Sequence, residues 1–242
     1  EDGCPADKKI LAREELINLL KENAFTKPVF IRVNDAMDAI GREDIDAISP
    51  YQDQIEAIIL PKTQSFDFLA TLAPMIDFSN KLVPLIETPR AIDTVTQIAA
   101  FKDVVGLFFG AADSSASLGC KLAWEPLLYA RQKVVLAAAM YNLFTIDAPF
   151  FYIDDKEGLK KEAEAVKNLG FTGKAAIHPD QIDFINESFA PTSEEIAEGK
   201  KVLEEYQKSG GGAVKIDGQM VDEPIAEAMR LKISLGEEEN ED

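Results

Sequence analysis

The sequence is poor in the residues that redox, zinc and nucleic-acid proteins depend on. Its 242 residues include two cysteines, one histidine and one tryptophan. Cys4 and Cys120 form no close-spaced metal or redox motif and are too few for a disulfide framework. They predict two idle thiols and a reducing, cytoplasmic setting. Positive charge is scarce: 25 Lys and Arg against 43 Asp and Glu give a formal net charge of −18. Nucleic acid is a poor partner for such a chain, because no basic footprint concentrates anywhere. No apolar run approaches the roughly 18 residues of a membrane span, so no membrane partner is expected. No signal-peptide pattern opens the chain. Neither GxGxxG nor GxxxxGK(S/T) occurs, which removes the usual phosphate cradles. The one strong charge run, EEENED at 237–242, is acidic and reads as a solvated tail.

What the sequence has instead is a rhythm. The runs PVFIRV (28–33), IEAIIL (55–60), LVPLI (82–86), VVGLFF (104–109), LFTI (143–146) and KAAI (174–177) are nearly all apolar rather than alternating. Strands buried on both faces of a parallel sheet read that way. Helical stretches precede or separate them. One is 9–22, with Ile10, Leu11, Ile17, Leu19 and Leu20 mostly on one face. Others are 66–75, 89–102 with proline in its first turn, 124–142, and 156–169 stopped by Gly170. Strand and helix in alternation mean βα units. Six strands fit a doubly wound open sheet, whereas a TIM (β/α)8 barrel needs eight. The missing nucleotide motifs and the acids at several strand ends favour the barrel, whose sites collect at the C-terminal ends of its strands.

Beyond Pro191 the rhythm stops. Residues 192–209 open with a capping box at Thr192 or Ser193. GGG (210–212) ends that helix, 213–224 carry an IDG turn, and 225–235 form a last helix. The expected organisation is a barrel catalytic domain over 1–190 and a lid or oligomerisation segment over 191–242.

Glu87 directly follows the run 82–86, and Asp113 lies just past 104–109. An acid at the end of a buried strand is costly without a partner. On neighbouring strands, about 5 Å apart, the two carboxylates can converge on one hard cation. Water and substrate would fill the other positions, a Mg2+ pattern. The competing reading is that each acid caps a helix or pairs with an arginine, Arg90 being close by. Arg32, ending the first run, suits a bidentate carboxylate contact or, equally, a salt bridge to Asp35. Asp147 and His178 also follow strands. A lone histidine before proline is more often structural than a base. Asp222, in DGQMVDEP, fits a general acid/base carried by a closing segment. On the residues alone, a turn or N-cap aspartate is the favoured reading.

Taken in order, IRVND, ILPK, PLIETPRAI, FGAADSSASLG, YARQKVVLAA, IDAPF, LGFTGKAAIHPDQI, FAPTSEEI and DGQMVDEP resemble the citrate lyase β-subunit-like proteins of the HpcH/HpaI aldolase superfamily. The resemblance covers essentially all of 1–235. It implies a TIM barrel that makes or breaks a carbon–carbon bond between an acyl-CoA unit and a 2-oxo acid, with Mg2+. It implies that Glu87 of the IET motif and Asp113 of the GAxD motif hold the metal, Glu87 also facing substrate. Arg32 of the RVN motif is implied to bind the oxo acid. Asp222 of the G-x-M-(V/I)-D segment is implied to be an acid/base delivered from a neighbouring subunit, in a homotrimer. Ala111, Ala112, Ser114 and Ser115 are expected near the metal, where they would select the oxo acid.

The start departs from the family pattern. Family members carry further βα steps ending in an acidic LED motif, and Glu1 and Asp2 look like the end of that segment. An upstream piece is therefore expected, and no phosphate contact is assigned to it. The implied reaction is a Claisen-type cleavage of malyl-CoA, citramalyl-CoA or citryl-CoA into acetyl-CoA and an oxo acid. Lys62, Arg90, Arg131 and Lys133 are the local pool for the CoA phosphates. Three alternatives stand. A metal aldolase on free sugar acids would need an early histidine base, and only His178 is present. A malate synthase or acyl-CoA thioesterase could share the scaffold. A non-catalytic CoA-binding protein would have no use for Glu87, Asp113, Arg32 and Asp222 together.

Overall fold

The computed structural model describes residues 4–76, 81–210 and 212–238. Glu1 and Asp2, and residues 239–242 of the acidic run, lie outside the described residues. The chain forms two compact units, Glu1–Tyr152 with Ala165–Ile177, and Ile153–Glu164 with His178–Asp242.

Among the described residues of the first unit, six strands make one parallel sheet: β1 (Phe30–Arg32), β2 (Ala57–Leu60), β3 (Leu82–Ile86), β4 (Gly106–Phe109), β5 (Phe144–Asp147) and β6 (Gly173–Lys174). They lie side by side in chain order. Every crossover therefore steps the same way. A doubly wound sheet would reverse at a switch point, so the winding is that of a barrel. Helix α1 (Lys9–Lys21) precedes β1. The crossovers carry α2 (Ala39–Ile48), α3 (Phe66–Leu72), α4 (Pro89–Asp93) with α5 (Val95–Ala99), α6 (Ala111–Leu118) with α7 (Trp124–Met140), and α8 (Lys156–Leu169). No helix among the described residues is long and apolar enough to cross a membrane.

Both sheet faces are buried, as the unbroken apolar runs require. One face carries Ala57, Ile59, Val83 and Leu85, packed with Phe30, Val105, Phe108 and Phe144. The other carries Ile58, Leu60, Leu82, Ile86, Leu107 and Phe109, all buried. Strand β3 holds a proline in mid-sheet, which removes a ladder donor. The sheet accommodates Pro84 with a register step. Leu82 bridges Val104, whereas Leu85 pairs with Phe108, so β4 spends one extra residue opposite the proline. That is a bulge, which re-aims the strand beyond it. It also explains why the strand expected at 104–109 is regular only from Gly106.

Other expectations need correction. The strand read at 174–177 is only Gly173–Lys174, and Ala176 and Ile177 are exposed. Lys174 is the last strand residue, and its side chain is buried in an ion pair with Asp147. The apolar face assigned to 9–22 is largely solvent-facing: Ile10, Leu11 and Leu19 are exposed, and only Leu20 is buried in α1. Polar anchors serve α1 instead, since Arg13 Nε donates to Asp44 Oδ1 at 2.7 Å. The helix read over 89–102 is two short ones meeting at Thr94.

The second unit contains α9 (Ile182–Phe189), α10 (Ser193–Lys208), the hairpin β7 (Val214–Ile216) and β8 (Gln219–Val221), and α11 (Glu223–Glu238). The capping box opens α10 at Thr192, whose Oγ1 accepts Glu195 N–H at 3.1 Å while Glu195 Oε2 accepts Thr192 N–H at 2.9 Å. The hairpin turns on Asp217 and Gly218, with φ of 46° and 88°. Two consecutive positive φ values define the tight turn that Asp-Gly favours between strands. Val202, Tyr206, Ile216, Val221 and Ala226 form this unit's own small core.

Candidate active site

Side chains alternate across a strand, so Glu87 projects from the same face as Val83 and Leu85. It is 4% exposed. Its Oε1 accepts the backbone N–H of Lys62 at 2.6 Å. Lys62, just past β2, has φ of 54°. A non-glycine residue pays about 1–2 kcal/mol for that left-handed turn, and here it aims an amide at the carboxylate. On the other side stands Gly110, whose N–H donates to Ile86 O at 2.9 Å. A Cβ on Gly110 would come within 2.6 Å of Glu87 Cβ and 3.1 Å of Oε2. The glycine is what lets the glutamate lie against the end of β4.

Gly110 is also the N-cap of α6, and Asp113 is an acid of that helix's first turn. Asp113 is exposed and enters no ion pair among the described residues. The site therefore pairs a buried carboxylate at the end of β3 with an open one at the start of the helix after β4, its neighbour in the sheet. The two competing roles for Glu87 are filled otherwise. Thr88 caps α4, its Oγ1 accepting Ala91 N–H at 3.1 Å. Arg90 is exposed and enters no ion pair among the described residues. For Asp113 the helix-dipole role remains available as well, since an acid is favoured in a first turn.

Arg32 shares the Glu87 face through Phe30. Its hydrogen-bonded row runs through Ile59 and Val83, so its exposed side chain must rise along the strands to reach Glu87's level. Asp222 belongs to the second unit. There it sits at the start of α11, its Oδ1 accepting Ile225 N–H at 3.4 Å and its carbonyl accepting Ala226 N–H at 2.9 Å. The side-chain contact is long for a cap. Beside it, Glu223 bonds Arg230 Nη1 at 2.7 Å. Arg230 and then the Tyr206 hydroxyl hold the Glu223 carboxyl below its ordinary value, while burial and then Glu223 push the Tyr206 phenol up.

The remaining singled-out residues have structural roles. His178 caps a 3-10 turn, Nδ1 accepting Asp180 N–H at 3.2 Å. Asp147 points to the opposite sheet face from Phe144 and is fully buried. Its Oδ1 accepts Arg131 Nε at 2.7 Å and its Oδ2 accepts Lys174 Nζ at 2.8 Å. Arg131 is thus a core residue and leaves the pool of CoA-phosphate ligands. Lys133 is half-buried, donating to Asp93 O at 3.0 Å. Lys62 and Arg90 stay exposed. Of the small residues after Gly110, Ala111, Ser114 and Ser115 pack inward and Ala112 is half-buried. Gly110 escaped the sequence reading, and so did the backbone role of Lys62, which was expected only as a candidate for the CoA phosphates. Their signals were the turn after ILPK and the glycine in FGAAD.

An α/β chain wound as a barrel, with Glu87 and Asp113 following the C-terminal ends of two adjacent strands, is laid out as a catalyst of the barrel class. The chain belongs to the HpcH/HpaI aldolase/citrate lyase family, whose profile matches residues 1–179. It is 30% identical over 261 aligned positions to the human mitochondrial citramalyl-CoA lyase, covering 97% of this chain and 76% of the relative. Among solved structures, RipC from Yersinia pestis is similar at 39% identity and a TM-score of 0.72, over 81% of this chain and 88% of that one. Protein CitE from Mycobacterium tuberculosis, in complex with magnesium, acetoacetate and coenzyme A, is similar at 29% identity and a TM-score of 0.82. That match covers 98% of this chain and 87% of the other.

Proposed function

We propose that the protein is a Mg2+-dependent CoA-ester lyase, cleaving a 3-hydroxyacyl-CoA into acetyl-CoA and a 2-oxo acid. The similarity to a citramalyl-CoA lyase and to a CitE protein holding magnesium, acetoacetate and coenzyme A supports the class. The observation that carries it is Glu87: a buried carboxylate seated between the Lys62 amide and a glycine on which any Cβ would crowd it. The donor set fits the ion. Glu87 and Asp113 offer only oxygen, which suits a hard cation. No three His, Cys, Asp or Glu side chains converge in metal-binding geometry among the described residues. Two protein ligands with the rest left to water and substrate is how Mg2+ is usually held.

When bound, Mg2+ supplies Lewis-acid polarisation of the oxo-acid oxygens. Glu87 and Asp113 hold it. Arg32 pairs with the carboxylate of the oxo-acid half and offsets charge as the bond breaks. Asp222 exchanges a proton with the methyl carbon of the acetyl unit, contributed from a second copy within a homotrimer. In this reading residues 1–190 form a TIM (β/α)8 catalytic domain, and 191–242 a lid that also joins subunits. Lys62 and Arg90, both exposed, are proposed to meet the CoA phosphates.

The test is oxo-acid and free-thiol release from malyl-CoA, citramalyl-CoA and citryl-CoA, each with Mg2+ and with EDTA. Metal-dependent oxo acid with intact acetyl-CoA is the expected result and names the substrate. Free thiol as well would assign a synthase or thioesterase step instead. Binding of acyl-CoA without turnover of any of the three would make the protein a non-catalytic binder.

A further inference from the structure

The core beside the site contains an unusual guanidinium. Arg131, on α7, is 3% exposed. Its Cζ lies 5.2 Å from the centroid of the Phe109 ring and 4.8 Å from that of Trp124, the chain's single tryptophan. Its Nε is fixed on Asp147. The side-chain polar atoms that are buried and unpartnered among the described residues are Arg131 Nη1 and Ser114 Oγ. They belong to α7 and α6, the two helices of the β4–β5 crossover. Native cores rarely leave such atoms unpaired without a reason.

Phe109, one of the two rings against the guanidinium, links it to the site. It is the last residue of β4, directly before Gly110. Gly110 backs Glu87 and caps α6, so both carboxylates depend on where the end of β4 sits. That end lies just beyond the bulge opposite Pro84, where Phe109 pairs with Ile86 and Gly110 N–H donates to Ile86 O. We infer that Arg131 is a positioning residue for the metal pair proposed above, holding Phe109 and thereby the spacing of Glu87 and Asp113. It touches neither carboxylate. A cation stacked on an aromatic ring and anchored by a buried acid is a directional clamp, which a plain apolar contact is not.

The test is Mn2+ binding by the full chain, read by EPR of the free ion, alongside Tm. Arg131→Lys keeps the charge and loses the planar stack. Trp124→Leu removes one ring and leaves the Asp147 bond. Both should weaken Mn2+ binding about tenfold, the lower end for groups that orient metal ligands. Leu127→Ala is the control, because Leu127 is fully buried on the same helix and touches the core only through apolar packing. It should lower Tm without moving the Mn2+ affinity. Should Arg131→Lys fail to fold, Trp124→Leu decides. Wild-type affinity in both clamp variants, or an equal loss in Leu127→Ala, would overturn the positioning role. Glu87→Gln separates this from failure of the site itself: if it binds Mn2+ as wild type does, the metal site falls and the clamp with it.

Discussion

Glu87 and Asp147 are both acids at strand ends, both buried, and their surroundings differ completely. Glu87 extends the row Val83, Leu85 on one sheet face and meets a backbone amide and a glycine. Asp147 is displaced by one residue from the row of Phe144, faces the helices, and meets Arg131 and Lys174. One residue of strand parity thus separates a ligand-type carboxylate from a structural ion triad. Asp147 is held by two buried cations, whereas the Glu87 carboxylate accepts a backbone amide and lies against a glycine.

The sharpest way to break that comparison is to neutralise each acid in turn. Glu87→Gln should abolish Mg2+-dependent turnover, by about a thousandfold or more where a metal's charge stabilisation is lost, and leave Tm nearly unchanged. Asp147→Asn should act chiefly on stability. Removing the one carboxylate from two buried cations costs about 3–5 kcal/mol, seen as a large fall in Tm, while Mn2+ affinity per folded molecule falls by no more than the roughly tenfold of the clamp variants, since Arg131 loses its anchor. If both variants lose activity and stability together, the two strand ends are not distinct.

Asp222→Asn should lower kcat by about 10²–10⁴-fold, the range for a general acid/base, with KM little changed. Mixing it with Glu87→Gln protein should restore part of the activity if Asp222 serves a neighbouring subunit. A failure to complement places the residue within its own chain's site. Gly110→Ala is milder. Its Cβ would press on Glu87, and a loss of about tenfold in metal affinity is expected from a displaced ligand, measured by the Mn2+ titration.

The smallest effect is a pH dependence in the second unit. Glu223 has its carboxyl held below the ordinary 4.5 by Arg230 and Tyr206. A depressed folded value stabilises above the unfolded value and ceases to as pH falls through the folded one. Acid titration followed by Tm should therefore show a small loss below pH 4.5 in wild type that Glu223→Gln lacks.

Much of this was legible in the sequence, for identifiable reasons. The strands from β1 to β5 were readable because burial on both faces removes polar residues from the run. Glu87 was readable because it breaks such a run. Less was legible where tertiary contacts decide. Asp147 looks like Glu87 until its partners 16 and 27 residues away are seen. Helix α6 is Ala- and Ser-rich with no apolar period, and α2 packs on Ile45 and Ile48 with a buried glycine and aspartate, so neither announces itself. The step in register at Pro84 depends on the partner strand. The roles of Lys62 and Gly110 arise from backbone approach, which no side-chain pattern records.

The most direct measurement is the anomalous diffraction of Mn2+ in crystals of the chain. The account predicts one strong peak per chain against the carboxylates of Glu87 and Asp113, absent in Glu87→Gln. A peak elsewhere, with none at these two side chains, would contradict it.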